Sequence, residues 1–203
     1  TLYFILFALE AGVKKGAYPK DSYKKRMKEI ETIIHEMPRI HEKINQWYDA
    51  NKEELWSMKR AMTVGIGPSF GPAIEGALKM EETIGIPSNV YETEEFLHGP
   101  VYEIKKDNAV FLLDMDDTMH DRVMMIYEGL HQLTDRVYLI TRHPGNSDKR
   151  VMTIDVNACS LLLPMLFVMP FQILSSRVCD DCRISAITVY NYRFSQAIKT
   201  KAN

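Results

Sequence analysis

The chain has 203 residues, 46% hydrophobic and 26% charged, with 25 basic against 27 acidic side chains and a formal net charge of −2. This composition excludes a disordered or fibrous chain, and the near-neutral total supplies no global field to draw the protein onto nucleic acid or an anionic membrane. The length suits one domain with an appended element. Three cysteines, Cys159, Cys179 and Cys182, make no even disulfide framework, which points to a reducing, cytoplasmic setting.

Residues 1–15 read as a buried helix, apolar on nearly every side, stopped by Gly16 with Pro19 just beyond. The segment lacks the basic start and cleavage site of a signal peptide and is too short to span a bilayer, so it is expected to pack on something large. Over 21–60 the apolar residues Met27, Ile30, Ile33, Ile34, Met37, Ile40, Ile44, Trp47, Leu55 and Met58 recur mostly at three- and four-residue steps. They predict two or three amphipathic helices, broken near Pro38 and again at 49–51. The basic run of Lys20, Lys24, Lys25, Arg26 and Lys28 is interleaved with Asp21, Glu29 and Glu31, the pattern of a solvated helix face.

After Arg60 the period changes. A short apolar run at 62–66 leads into Gly65, Gly67, Pro68 and Gly71, which reads as strand, tight loop and then a helix over 72–83. Further strands are expected at 89–92, 108–114, 136–141 and 151–156, with helices at 119–133 and 161–179. Alternation of this kind predicts an α/β fold, a three-layer αβα sandwich with a parallel sheet. The expected division is a helical segment at 1–60, the α/β domain at 61–180 and a tail at 181–203. Ligands of such sheets gather beyond the carboxyl ends of the strands where strand order reverses, which directs attention to 65–71 and 92–99.

Four groups of residues compete for the chemistry. Gly65-Ile-Gly67-Pro-Ser69-Phe-Gly71 follows a strand and opens a helix, as a phosphate-binding loop does, with Gly67 and Ser69 as substrate contacts. It matches neither the Walker A pattern nor the dinucleotide fingerprint, and a structural turn accounts for it equally well. Glu75, Lys79 and Glu82 stand four and three residues apart, hence on one helix face, and His98 follows Glu82 by sixteen residues within Phe96-Leu97-His98-Gly99-Pro100. A carboxylate can carry a proton between adjacent carbons and a histidine can serve a ring oxygen, but a surface ion-pair ladder fits the spacing as well. Asp114-Met-Asp116-Asp-Thr118 imitates a phosphatase nucleophile motif, yet Asp180-Asp181 ends a predicted helix where that fold needs a strand end, so acids at a strand end leading into a helix are the better account. The remaining histidines, His35, His41, His120, His131 and His143, show no metal-ligand spacing, and Cys179-Asp-Asp-Cys182 has no second pair.

The ordered set Gly65-x-Gly67, Glu75-Gly-Ala-Leu-Lys79-x-x-Glu82, Tyr91, Glu95 and His98-Gly-Pro resembles the second sugar isomerase (SIS) domain of glutamine-fructose-6-phosphate aminotransferases. It is still more similar to the fructosamine-6-phosphate deglycases and related phosphosugar isomerases, in which acidic residues precede Phe-Leu-His-Gly-Pro. The match runs from about 62 to 103 and continues weakly through 163–174. The resemblance implies a ketosamine-6-phosphate deglycase or isomerase acting on a phosphorylated sugar or sugar-amine adduct, with Glu82 as general base and His98 as the group that opens or protonates the sugar. It implies a homodimer in which His98 serves the neighbouring subunit's site, with Glu75 and Lys79 lining the cavity and neither metal nor organic cofactor. Other readings under the same resemblance are the isomerase domain of an amino-sugar-phosphate synthase and a non-catalytic phosphosugar-binding module, against which the Glu82 and His98 pair speaks. The family's Ser-x-Ser-Gly-x-Thr phosphate loop does not occur in this sequence, and 1–16 resembles the last helix of the domain that carries it, so the chain by itself is expected to be catalytically weak. The family's tail lysine has no assignable counterpart in Lys199 or Lys201.

Overall fold

The computed structural model of the chain describes residues 2–115, 117–184, 194 and 196–198. Helices α1 (Leu2–Lys14) and α2 (Lys20–Trp56) come first, followed by β1 (Arg60–Gly65), α3 (Phe70–Lys79), β2 (Ser88–Glu92), β3 (Asn108–Asp114) and α4 (His120–Leu130). The chain then continues through β4 (Val137–Thr141), β5 (Val151–Thr153), α5 (Pro164–Phe167) and α6 (Met169–Cys182). The sheet has the order β2-β1-β3-β4-β5, with every neighbouring pair parallel.

Both faces of this sheet are covered, which is why the central strands read as unbroken apolar runs rather than alternating ones. Ala61, Ala109, Phe111, Leu113, Tyr138 and Ile140 face one core with α2, α3, α5 and α6. Met62, Val64, Val110, Leu112, Val137 and Leu139 face the other, closed by Val123, Ile126, Tyr127 and Leu130 of α4 and by Phe96. Three αβα layers result, as the sequence predicts.

The expected breaks near Pro38 and at 49–51 are absent, and α2 is one helix of 37 residues. Ile30, Ile33, Ile40, Ile44, Trp47, Tyr48, Asn51 and Leu55 form one buried stripe along it, so packing holds the helix together on both sides of the proline. Pro38 itself faces solvent, and the carbonyl its missing N–H leaves unserved belongs to Ile34, a residue 48% exposed on the same outer side of the helix. Asn51 is buried without ending the helix because its amide donates to the carbonyls of Trp47 and Lys149, both at 2.8 Å. Tyr48 donates to Asp181 at 2.9 Å, and Arg177 reaches Asn45 and Asp49 at 2.7 Å each, fastening α2 to α6.

The expectation of a buried first helix is met on one face only. Leu2, Ile5, Leu6 and Leu9 pack against the core, but no residue of α1 is buried, and Tyr3 and Phe4 are each 72% exposed. Only one flank of α1 meets the rest of the chain, leaving Tyr3, Phe4 and Phe7 to cover one another, with ring centroids 5.5 and 6.5 Å apart. The helix expected over 161–179 divides at Val168, with Pro164 and Pro170 in the opening turns of α5 and α6, where a missing N–H goes unnoticed.

Candidate functional site

The loop after β1 turns at Gly67, whose φ of 55° is the left-handed conformation that glycine adopts without a steric penalty. Ser69 is turned inward: its hydroxyl accepts the Ile66 N–H at 2.9 Å and donates to the Ile66 carbonyl at 2.8 Å, in a residue only 1% exposed. Both roles of that hydroxyl are spent on shaping the loop. Beyond it, Gly71, Pro72 and Glu75 line a cleft of about 600 Å³ whose far walls are Leu2, Met37 and Gln172.

Helix α3 lies close on α6 because residue 76 is glycine; a Cβ there would stand 2.7 Å from Cγ of Phe171. The adjoining flank of the helix carries the expected ladder. The Lys79 ammonium lies 3.6 Å from Glu75 and 3.0 Å from Glu82, and its hydrogen bond to Glu82 raises its pKa, holding it as a cation between the two carboxylates. The helix then widens into a π turn, Met80–Ile84, closed by the Gly85 N–H donating to the Met80 carbonyl at 3.0 Å. Such turns insert one residue into the helical ladder and re-aim the side chains around it, and they are common at functional sites. Here the re-aimed residues are Glu81 and Glu82, both exposed, above a buried Met80.

His98 ends a short 3₁₀ turn, Glu95–His98, and is itself exposed. Two contacts hold that turn. The Glu92 carboxylate accepts the N–H groups of Glu94 and Glu95 at 2.8 and 3.1 Å, and Glu94 receives a forked pair from Arg122 of α4, both bonds 2.8 Å, which holds the Glu94 carboxyl below its ordinary range. Phe96 anchors the segment from beneath, fully buried, its ring 6.0 Å from that of Tyr91.

The sheet keeps Glu82 and His98 apart. Gly65 pairs with Glu92 at the carboxyl ends of β1 and β2, and Ala61 pairs with Ser88 at their amino ends. Helix α3 starts beyond the carboxyl edge and runs back, so the π turn bearing Glu82 stops just before β2 begins, whereas His98 follows β2's far end. At a rise of about 3.3 Å per residue, the five residues of β2 put roughly 13–16 Å between the two edges. One copy of the chain therefore does not close both groups on one small substrate, and because strand order reverses between β1 and β3, the switch-point rule directs attention to the loops after those two strands, whereas His98 follows the edge strand β2.

At the carboxyl ends of β3 and β4 the structure assembles a cluster that the sequence does not announce. Asp114, 1% exposed, accepts hydrogen bonds through Oδ2 from Thr141 at 2.6 Å and from His120 Nδ1 at 2.7 Å, and the His143 ring lies against that of His120, tilted by 39°, with centroids 3.9 Å apart. Along the chain these histidines still show no metal-ligand spacing; the register Asp114↔Thr141 between neighbouring parallel strands, rather than any such spacing, brings the group together. The phosphatase resemblance gains nothing from this, because Asp181 lies in α6 bonded to Tyr48. Cys179 donates to the Thr83 carbonyl at 3.1 Å, and burial pushes its thiol pKa up, away from reactivity. Lys199 and Lys201 lie outside the described residues.

A family model described as the SIS domain matches residues 54–176, well over half of the chain. The chain belongs to the SIS domain family. Among curated relatives of this SIS chain, the glutamine–fructose-6-phosphate aminotransferase [isomerizing] of Chlorobaculum tepidum is 29% identical over 185 residues, covering 86% of the chain and 29% of that protein. Among solved structures, a protein of Clostridium difficile 630 assigned as a phosphosugar isomerase superposes with a TM-score of 0.87 at 26% identity over 98% of the chain and 56% of its own length. The C-terminal domain of glucosamine-fructose-6-phosphate aminotransferase from Francisella tularensis shares the fold, with a TM-score of 0.69, 20% identity and coverage of 86% and 50%. The SIS chain thus spans less than a third of that curated relative and about half of these structures. Among its described residues no helix is long and apolar enough to cross a membrane.

Proposed function

We propose that this SIS chain supplies the general base to a phosphosugar-processing enzyme whose substrate is a ketosamine phosphate, with Glu82 as the base and His98 of a second copy as its partner. The observation that carries the reading is the Glu75–Lys79–Glu82 ladder running into the exposed π turn. Lys79 offsets the charge of Glu82 and orients the carboxylate. Glu82 removes a proton from C1 of the open-chain ketosamine as the C2 oxygen is protonated, and returns it to C2 as the amine nitrogen gives up its proton; the imine so formed at C1 is cleaved by water to an aldose phosphate and a free amine. The same transfer on a plain ketose phosphate is aldose–ketose isomerisation. His98 serves the ring oxygen when the sugar opens.

Two further features support this reading. The separation of Glu82 from His98 across the sheet fits a site built between two copies, with neither copy complete alone. Ser69's hydroxyl is occupied within its own loop, in keeping with the phosphate being held by a Ser/Thr-rich loop of another SIS domain. The names of the relatives, an amino-sugar-forming aminotransferase and a phosphosugar isomerase, favour a substrate of this class.

The test is subunit mixing, in a protein that carries this chain together with a first SIS domain. Glu82→Gln and His98→Asn homodimers should each be nearly inactive. After random re-association half of the dimers are mixed, each with one intact site of two, so activity should return to about a quarter of wild type in a symmetric dimer. No recovery refutes the shared site, and phosphosugar binding without turnover in the wild type favours a binding module.

A further inference from the structure

We propose that Asp114, His120 and His143 form a binding site for one divalent transition-metal ion of the zinc class, with a coordination position open to the adjoining pocket. The inference is independent of the sugar chemistry proposed for Glu82.

The donors are already gathered. One carboxylate oxygen of Asp114 and one ring nitrogen from each histidine all lie within 4.8 Å of one another. An ion bound at about 2.0–2.2 Å from oxygen and nitrogen donors holds such donors roughly 3–4 Å apart, so a small adjustment of two partly exposed rings suffices. Two imidazoles with one carboxylate suit zinc and its first-row neighbours rather than magnesium or calcium, which prefer oxygen throughout.

The carboxylate itself calls for a cation. Asp114 is wholly interior, yet its Oδ1 accepts no hydrogen bond from any described residue. A buried carboxylate oxygen left without a donor is costly, and the His120 and Thr141 contacts serve only Oδ2. The surroundings hold the carboxylate in place as a metal site requires. The Thr141 hydroxyl donates to Asp114 Oδ2 at 2.6 Å and accepts the His143 backbone N–H at 3.0 Å, so one hydroxyl fixes both a ligand and the start of the loop carrying another. Supports of this kind orient ligands and raise affinity. His120 stands at the start of α4, Asp114 and Thr141 at adjacent strand ends, and the pocket beside them, about 370 Å³, is lined by His120, His143, Thr141 and residues 144–147. Three protein ligands leave room for a fourth from that pocket, where an oxygen of a small ligand or water would sit.

The full 203-residue chain, stripped of metal, is titrated with Zn²⁺ by calorimetry and with Co²⁺ by visible absorption. The expected result is one equivalent bound, with a Co²⁺ ligand-field spectrum, and affinity reduced at least ~10-fold in His120→Ala and in His143→Ala. Far-UV circular dichroism verifies that each variant is folded; His143, in a loop, is the safer of the two, and Asp114→Asn preserves shape if either fails. A Cys179→Ser/Cys182→Ser variant should bind as the wild type does. No binding by the wild-type chain, binding that survives both histidine substitutions, or binding lost with the cysteines overturns the proposal.

Discussion

Replacing Pro38 by alanine should stabilise the protein. Pro38 lies near the middle of a continuous helix, its ring is exposed, and it contributes nothing to the buried stripe of Ile33, Ile40 and Ile44. An interior proline costs about 3 kcal/mol relative to alanine, from the lost N–H and the clash with the preceding turn. Against this, alanine frees the unfolded chain by about 0.4–1 kcal/mol, leaving a net gain of about 2 kcal/mol. For a chain of this length that corresponds to a rise in Tm of about 4–8 °C. Thermal melts followed by circular dichroism, with urea titrations for the free energy, measure it. Pro38→Gly serves as the control and should fall about 1 kcal/mol below the alanine variant. An unchanged or lower Tm for Pro38→Ala would refute the reasoning, since it would mean that the packing of α2 depends on a bend that only proline supplies.

In a protein that also carries a first SIS domain, Glu82→Gln should lower turnover at least ~100-fold, the scale of lost general acid–base catalysis, with its melting curve unchanged because Glu82 is exposed. Wild-type turnover would remove Glu82 from the mechanism. Burial pushes the Glu54 carboxyl up, but Lys149 at 2.7 Å and Arg150 at 3.0 Å outweigh it, and the folded pKa lies below the ordinary 4.5. The stabilisation from this group is therefore complete above about pH 4.5 and lost as pH falls through the lower folded value, so Glu54→Gln should cost on the order of 1 kcal/mol at neutral pH and flatten that part of the acid profile. Equal acid profiles in urea titrations would contradict this. The exposed Tyr3, Phe4 and Phe7 should drive self-association of the 203-residue chain, and serine at all three positions should reduce it in sedimentation velocity; monomers in both forms would show that this apolar patch is tolerated.

The sequence by itself determined the α/β class, the strand positions and the Glu75–Lys79–Glu82 face, because each depends on local period: two for strands, about 3.6 for helices. It also carried the family resemblance, since the ordered motif from Gly65 to Pro100 needs no coordinates to read. Continuity of α2 was decided by tertiary structure, because the local signals at Pro38 and Asn51 oppose a helix and only the shared buried stripe and the Lys149 carbonyl outweigh them. The exposure of α1 depended on how much of the chain lies beside it. Parallel register decided the rest: it sets Glu82 and His98 at opposite edges of one sheet although sixteen residues part them, and it brings Asp114 and Thr141 side by side, with His120 and His143 gathered around them, from positions up to 29 apart. Distance along a chain and distance across a parallel sheet are independent, and the chemistry follows the second.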